Sequence, residues 1–118
     1  MKKVVIHIFH ADADSIGAGS HVAERIRQVA SDQGAELEVY LFGPAQAALN
    51  DGTTDPATAE YNAQIDALIA AGVPVGACLN AAEAAKVDKI LTDRGIRLQY
   101  ARDAFIRFAL EGATVIGF

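Results

Sequence analysis

Apolar and polar positions along this chain change rhythm repeatedly, from continuous or alternating apolar runs to a spacing of three and four. Val4-Val-Ile-His-Ile-Phe9 is β-branched and aromatic, apolar on both faces apart from His7. Such a run predicts a central parallel strand covered on each side. His10-Ala-Asp-Ala-Asp-Ser15 follows as a polar loop whose Asp14 or Ser15 can cap a helix. Ala18, Val22, Ile26 and Val29 recur at helical spacing, and Gly34 supplies a left-handed stop. Leu37, Val39 and Leu41 alternate with Glu36, Glu38 and Tyr40, which predicts a second strand ending at Phe42-Gly43-Pro44.

The same alternation of elements continues to the end. A short helical stretch spans 45–49, and Asn50-Asp-Gly-Thr-Thr-Asp55 reads as a loop. Asp55-Pro56 is a helix start, with Tyr61, Ile65, Leu68 and Ile69 as its apolar stripe and Gly72 as its stop. Val73 to Ala77 predicts a brief third strand. Asn80 and Glu83 resemble a capping box for a helix through Ala85, and 87–93 reads as a further helical segment. Ile96 to Tyr100 predicts a fourth strand. Asp103 would cap a helix carrying Phe105, Ile106, Ala109 and Leu110, Gly112 would end it, and Ala113 to Phe118 would close the sheet.

Strand and helix therefore alternate about five times with short connections. The pattern predicts an α/β fold: one three-layer domain over 1–118, with a mostly parallel sheet of about five strands and helices on both faces, joined by right-handed crossovers. At 118 residues the chain accommodates one core and not two. A formal net charge of −5 lacks the basic stripe of a nucleic-acid binder. No apolar run reaches the roughly 20 residues needed to span a bilayer. The opening Met1 to Phe9 reads as a strand and not as a signal peptide, and a lone cysteine suits a reducing compartment, so a cytoplasmic protein is expected.

Ligands in open α/β sheets bind beyond the carboxyl ends of the strands. That edge should collect His10, Asp12, Asp14 and Ser15 after the first strand, then Phe42, Gly43 and Pro44 after the second. Cys78 and Asn80 follow the third strand, and Arg102 and Asp103 the fourth. Cys78 is the only thiol and lies where a strand feeds a helix. The positive end of a helix stabilises a nearby anion by only about 0.3–1 kcal/mol when exposed. A reactive thiolate at Cys78 would thus need a cation such as His10 or Arg102 beside it. The competing reading is a small apolar filler, since free cysteines are among the most buried residues.

The other histidines point elsewhere. His7 reads as a hydrogen-bonded core or interface residue, and His21 as a surface or subunit-contact residue. His10-Ala-Asp-Ala-Asp-Ser15 is similar to the metal-binding start of the DHH phosphoesterases, whose carboxylates would hold Mn²⁺ or Mg²⁺. No second Asp-His-His cluster follows, and the alternative is an aspartate helix cap. The chain has no G-x-G-x-x-G after its first strand, no P-loop, no G-x-S-x-G elbow and no C-x-x-C pair.

The opening strand Lys3 to Phe9, the Glu38 to Pro44 strand with its Gly-Pro exit, Gly72-Val-Pro-Val-Gly-Ala-Cys78-Leu-Asn80 and the closing Leu110-Glu-Gly-Ala-Thr-Val-Ile116 together resemble the DsrE/DsrF-like family of small sulfur-relay proteins. The resemblance implies a compact α/β protein that forms homo-oligomers, trimers or hexamers. It also implies a persulfide carried on the residue aligned with Cys78 and exchanged with sulfur donor and acceptor proteins, without metal or organic cofactor. His10, Asn80 and Arg102 are the candidate binding residues around it. A non-catalytic oligomeric domain that binds a small ligand or protein at the same edge is the alternative.

Overall fold

The computed structural model describes residues 2–50 and 55–118; the loop expected over 50–55 lies largely in 51–54, outside the described residues. The chain runs β1 (Lys2–Ile8), α1 (Ala13–Val29), a 3-10 turn (Ser31–Gln33) and β2 (Ala35–Leu41). It continues through α2 (Gly43–Ala47), a second 3-10 turn (Ala48–Asn50), α3 (Pro56–Ala70) and β3 (Val75–Ala77). Then come α4 (Leu79–Ala84), α5 (Asp88–Asp93), β4 (Arg97–Leu98), α6 (Ala101–Leu110) and β5 (Thr114–Gly117). The five strands form one sheet in the order β4-β3-β2-β1-β5. Every pairing is parallel, with Lys2↔Ala35 through Ile8↔Leu41 as the longest ladder.

This order decides where the helices go. From β1 to β4 the chain steps always in one direction, and right-handed crossovers put α1, α3, α4 and α5 on one face. The return from β4 to β5 runs the opposite way, so the same handedness drops α6 onto the other face. Ile16 and Ala23 of α1, Tyr61, Ile65 and Leu68 of α3, Ala82 of α4 and Leu91 of α5 pack with Ile6, Ile8, Val39 and Leu41 in the larger core. Val5 and Tyr40 meet Ala104 and Phe108 of α6 in the smaller one. The three layers are present, and they are unequal.

Local chemistry fixes the helix ends. Asp12, not Asp14 or Ser15, caps α1: its carboxylate accepts from the Ser15 N–H at 3.1 Å and the Ser15 hydroxyl at 2.8 Å. Asp55 caps α3 in the expected way, accepting from the Thr58 N–H at 3.1 Å with Pro56 in the first turn. The α3 helix ends in a Schellman turn, with the Val73 N–H donating to the Leu68 carbonyl and Gly72 at φ 89°.

Three further expectations need correcting. Asn80 does not cap α4: Cys78 occupies that position without a side-chain cap bond, and Asn80 is inside the first turn. Tyr100, not Asp103, precedes α6 as its N-cap residue. The buried stripe of α1 is Ile16, Gly19, Ser20 and Ala23, whereas Ala18 and Val29 face outward. Close approach explains the last case, because a methyl on Gly19 would lie 2.8 Å from the Ile8 side chain. The helix packs its small residues against the sheet, a choice that hydrophobic spacing underweights.

Candidate functional site

The carboxyl ends of the strands gather the residues expected there, and the structure then sorts them. Cys78 follows β3 directly, extended at φ −74° and ψ 124°, and is 5% exposed. Continuing the alternation of β3, its side chain shares the α6 face with Gly76. A buried glutamine holds its backbone from both sides. The Gln46 amide nitrogen donates to the Cys78 carbonyl at 2.8 Å, and the Cys78 N–H donates to Gln46 Oε1 at 2.9 Å. Leaving either buried backbone group without a partner would cost about 1–3 kcal/mol, so the clamp fixes the backbone that carries the one thiol of the chain. Sequence reasoning passed over Gln46, although it is the only polar side chain in Ala45-Gln-Ala-Ala-Leu49.

Tyr40 lies over the same strand. Its ring covers Gly76, and its hydroxyl donates to the Gln99 carbonyl at 2.8 Å, reaching from β2 across β3. The same carbonyl accepts from the Leu79 N–H at 3.3 Å, so the first peptide of α4 is tied to the residue after β4. Burial raises the Tyr40 phenol above its ordinary range, the Cys78 thiol adds to the effect, and Arg107 opposes it.

The other candidates take separate places on the edge. His10 is exposed, with its ring edge-on to Phe9 at 5.1 Å. It follows β1, which is two strands, or about 10 Å, from β3. Asn80 is exposed in the first turn of α4. Arg102 stacks over Tyr100 at 5.0 Å and pairs with Asp103 at 3.3 Å, its side chain 76% exposed. Among the described residues no hydrogen bond or ion pair joins these three to Cys78. Nor does any group of three or more His, Cys, Asp and Glu side chains stand ready to hold a metal ion. Asp12 serves its helix cap instead, and the hydrogen bonds from Ser15 hold its carboxyl below the ordinary range.

A polar cluster that the sequence did not announce lies farther along the α6 face. Glu38 of β2 is buried and receives Arg107 of α6 in a two-pronged pair, at 3.0 and 2.7 Å, and Lys3 of β1 at 3.0 Å. Glu111 joins from the end of α6, 3.1 Å from Lys3 and 3.3 Å from Arg107, and Gln99 Oε1 accepts from Arg107 Nε at 3.2 Å. Burial pushes the Glu38 carboxyl up, but Arg107 and Lys3 outweigh it and hold it below the ordinary range. The only sequence signal was an acidic residue at an alternating position of an otherwise buried strand.

Solved structures share this architecture. The BT1422 protein of Bacteroides thetaiotaomicron matches with a TM-score of 0.76 at 17% identity, over 99% of this chain and 95% of its own. The ychN protein of E. coli matches with a TM-score of 0.76 at 19% identity, and MTH1491 of Methanobacterium thermoautotrophicum with 0.74 at 21%, each over 100% of both chains. At such identities the likeness is one of fold. No curated protein sequence matches the chain. A sequence model of one family does match, over residues 3–118, and the chain belongs to the DsrE/DsrF-like family.

Proposed function

We propose that the protein is a sulfur carrier that accepts a persulfide sulfur on Cys78 and passes it to a partner protein. The Cys78 thiolate attacks the outer sulfur of a donor persulfide, the donor S–S bond breaks, and the donor leaves as a thiolate. An acceptor thiolate then attacks the outer sulfur on Cys78 and regenerates the thiol. Sulfur moves without net oxidation, so exchange of this type calls on no metal or organic cofactor. The supporting observation is the Gln46 clamp, which presents the single thiol at the carboxyl end of β3 in one fixed backbone geometry. His10, Asn80 and Arg102 stand on the same edge as the groups a docked donor or acceptor protein would meet.

The 5% exposure of Cys78 favours a second reading, an oligomeric binding domain in which the thiol is packing. One experiment separates the two. The purified protein is incubated with a persulfide donor and its intact mass measured beside Cys78→Ser. The relay reading expects a gain of one sulfur in the wild type only. No gain on a thiol that a small alkylating reagent does reach would overturn it.

A further inference from the structure

A cleft of about 440 Å³ opens over β3 on the α6 face, within the size range of small-molecule sites. Its lining includes Glu38, Tyr40, Gly76, Arg97, Gln99 and Arg107. Along its floor β3 presents a glycine, over which the Tyr40 ring lies. A methyl group on Gly76 would stand 3.2 Å from Tyr40 Cδ1 and 3.3 Å from the Arg97 carbonyl oxygen.

The polar groups around the cleft differ in what they have left to offer a ligand. Glu38 already receives Arg107 and Lys3. Arg107 is engaged by Glu38, Glu111 and Gln99 together. Arg97 is different: it is exposed at the rim, and among the described residues its guanidinium has no ion pair or hydrogen bond. Arg107, the other cation of the lining, has carboxylate partners, so Arg97 is the unengaged cation of this cleft among the described residues. A cleft whose carboxylate is already engaged, and whose unengaged cation is a planar fork of donors, selects an anion of matching shape.

The cleft is also close to the thiol. Gly76 and Cys78 face the same way, about 7 Å apart along the strand. Tyr40 lines the cleft, and the Gln99 carbonyl that accepts from its hydroxyl also accepts from the N–H of Leu79, the residue after Cys78.

We propose that this cleft binds a small carboxylate-bearing molecule, its carboxylate held by Arg97, and that the molecule is a low-molecular-weight thiol persulfide that loads Cys78. The identity of the substrate rests on the relay reading; the carboxylate site does not. In the loading step the Cys78 sulfur bonds to the outer sulfur of the persulfide and the persulfide S–S bond breaks. The departing small thiolate takes up the proton given up by Cys78, so a persulfide and a thiol are exchanged for a thiol and a persulfide.

Glutathione and its persulfide serve as probes. Reduced glutathione, titrated calorimetrically, should bind saturably to wild type and to Cys78→Ser alike. Arg97→Gln should weaken that binding about tenfold or more, the expected loss for one charge-assisted pair, with Arg97→Lys in between. Absence of saturable binding at millimolar concentration, or equal binding by Arg97→Gln, would overturn the site. Glutathione persulfide followed by intact mass should load Cys78 more slowly in Arg97→Gln, and an unchanged rate would overturn the substrate assignment. Binding of glutathione with no loading from any donor would leave the carboxylate site standing and defeat the relay.

Discussion

His7 lies in a ring-lined space on the α6 side of β1, edge-on to Phe105 at 5.0 Å, with Phe9 and Tyr40 each at 6.4 Å. The sequence predicts a hydrogen-bonded histidine, yet among the described residues its Nε2 has no hydrogen-bond partner, because rings supply the surroundings. Burial disfavours the imidazolium and the charge of His10 adds to that, so protonation in the folded protein lies below its ordinary range near 6.5. The unfolded chain then binds the proton more readily, and stability falls as pH drops from about 6.5 toward the folded value. Above that window the contribution is fully present. Urea denaturation at a series of pH values should show this loss in wild type and a smaller one in His7→Phe. Identical slopes would contradict the assignment.

At the scale of elements, the left-handed turns that end α3, α5 and α6 use glycine, and the one that ends α4 does not. Gly72, Gly95 and Gly112 each follow a helix with positive φ, the left-handed exit glycine favours. After α4 the same turn is made by Lys86 at φ 61°, with the Val87 N–H donating to the Ala82 carbonyl and the Lys86 N–H to the Glu83 carbonyl. A side chain in that conformation costs roughly 1–2 kcal/mol, part of which glycine recovers. Lys86→Gly should therefore stabilise the protein by about 0.5–1 kcal/mol, read as a higher urea midpoint at unchanged slope. A lower midpoint would show that the lysine side chain has a compensating role. Helix starts are less legible than helix stops. Aspartate before a helix predicts the cap at Asp55, whereas at α1 the expected Asp14 or Ser15 gives way to Asp12, because several capping residues crowd 12–15. Cys78 and Tyr100 carry no signature of a cap, and their positions follow from where the preceding strand ends.

For the molecule as a whole, among the described residues α6 alone covers one face of the sheet, whereas α1 to α5 all bury residues in the opposite core. Ile106 and Leu110 point outward from α6 at 58% and 84% exposure, and β5 is exposed along its length as an edge strand with Val115 and Ile116. An apolar edge of that kind is ordinarily covered or blunted by charge. Assembly with further copies of this chain, as expected for a trimer or hexamer, would bury this region. Light scattering coupled to gel filtration should give a mass several times that of the 12.4 kDa chain, and Leu110→Glu with Ile106→Glu should lower it. A monomeric wild type would remove the proposal. The sequence places both side chains on the helix that also carries Phe105 and Ala109. Helical spacing marks an apolar face correctly but cannot say whether the chain itself or another copy covers it.

The local order of strands and helices, the parallel sheet and the edge that carries Cys78 were legible in the chain. Hydrophobic period and turn residues act over a few positions, and right-handed crossovers leave few ways to arrange five such units. The residues that surround the thiol were not legible. Gln46 holds the Cys78 backbone from α2, Tyr40 reaches the Gln99 carbonyl from β2, and the pairing of Glu38 with Arg107 joins positions 69 residues apart. Such contacts are set by strand order and by the missing side chain of Gly76, quantities that arise only when β2, β3, β4 and α6 are packed together. Sequence determined which elements form and where the cysteine emerges, and tertiary structure decided what stands beside it.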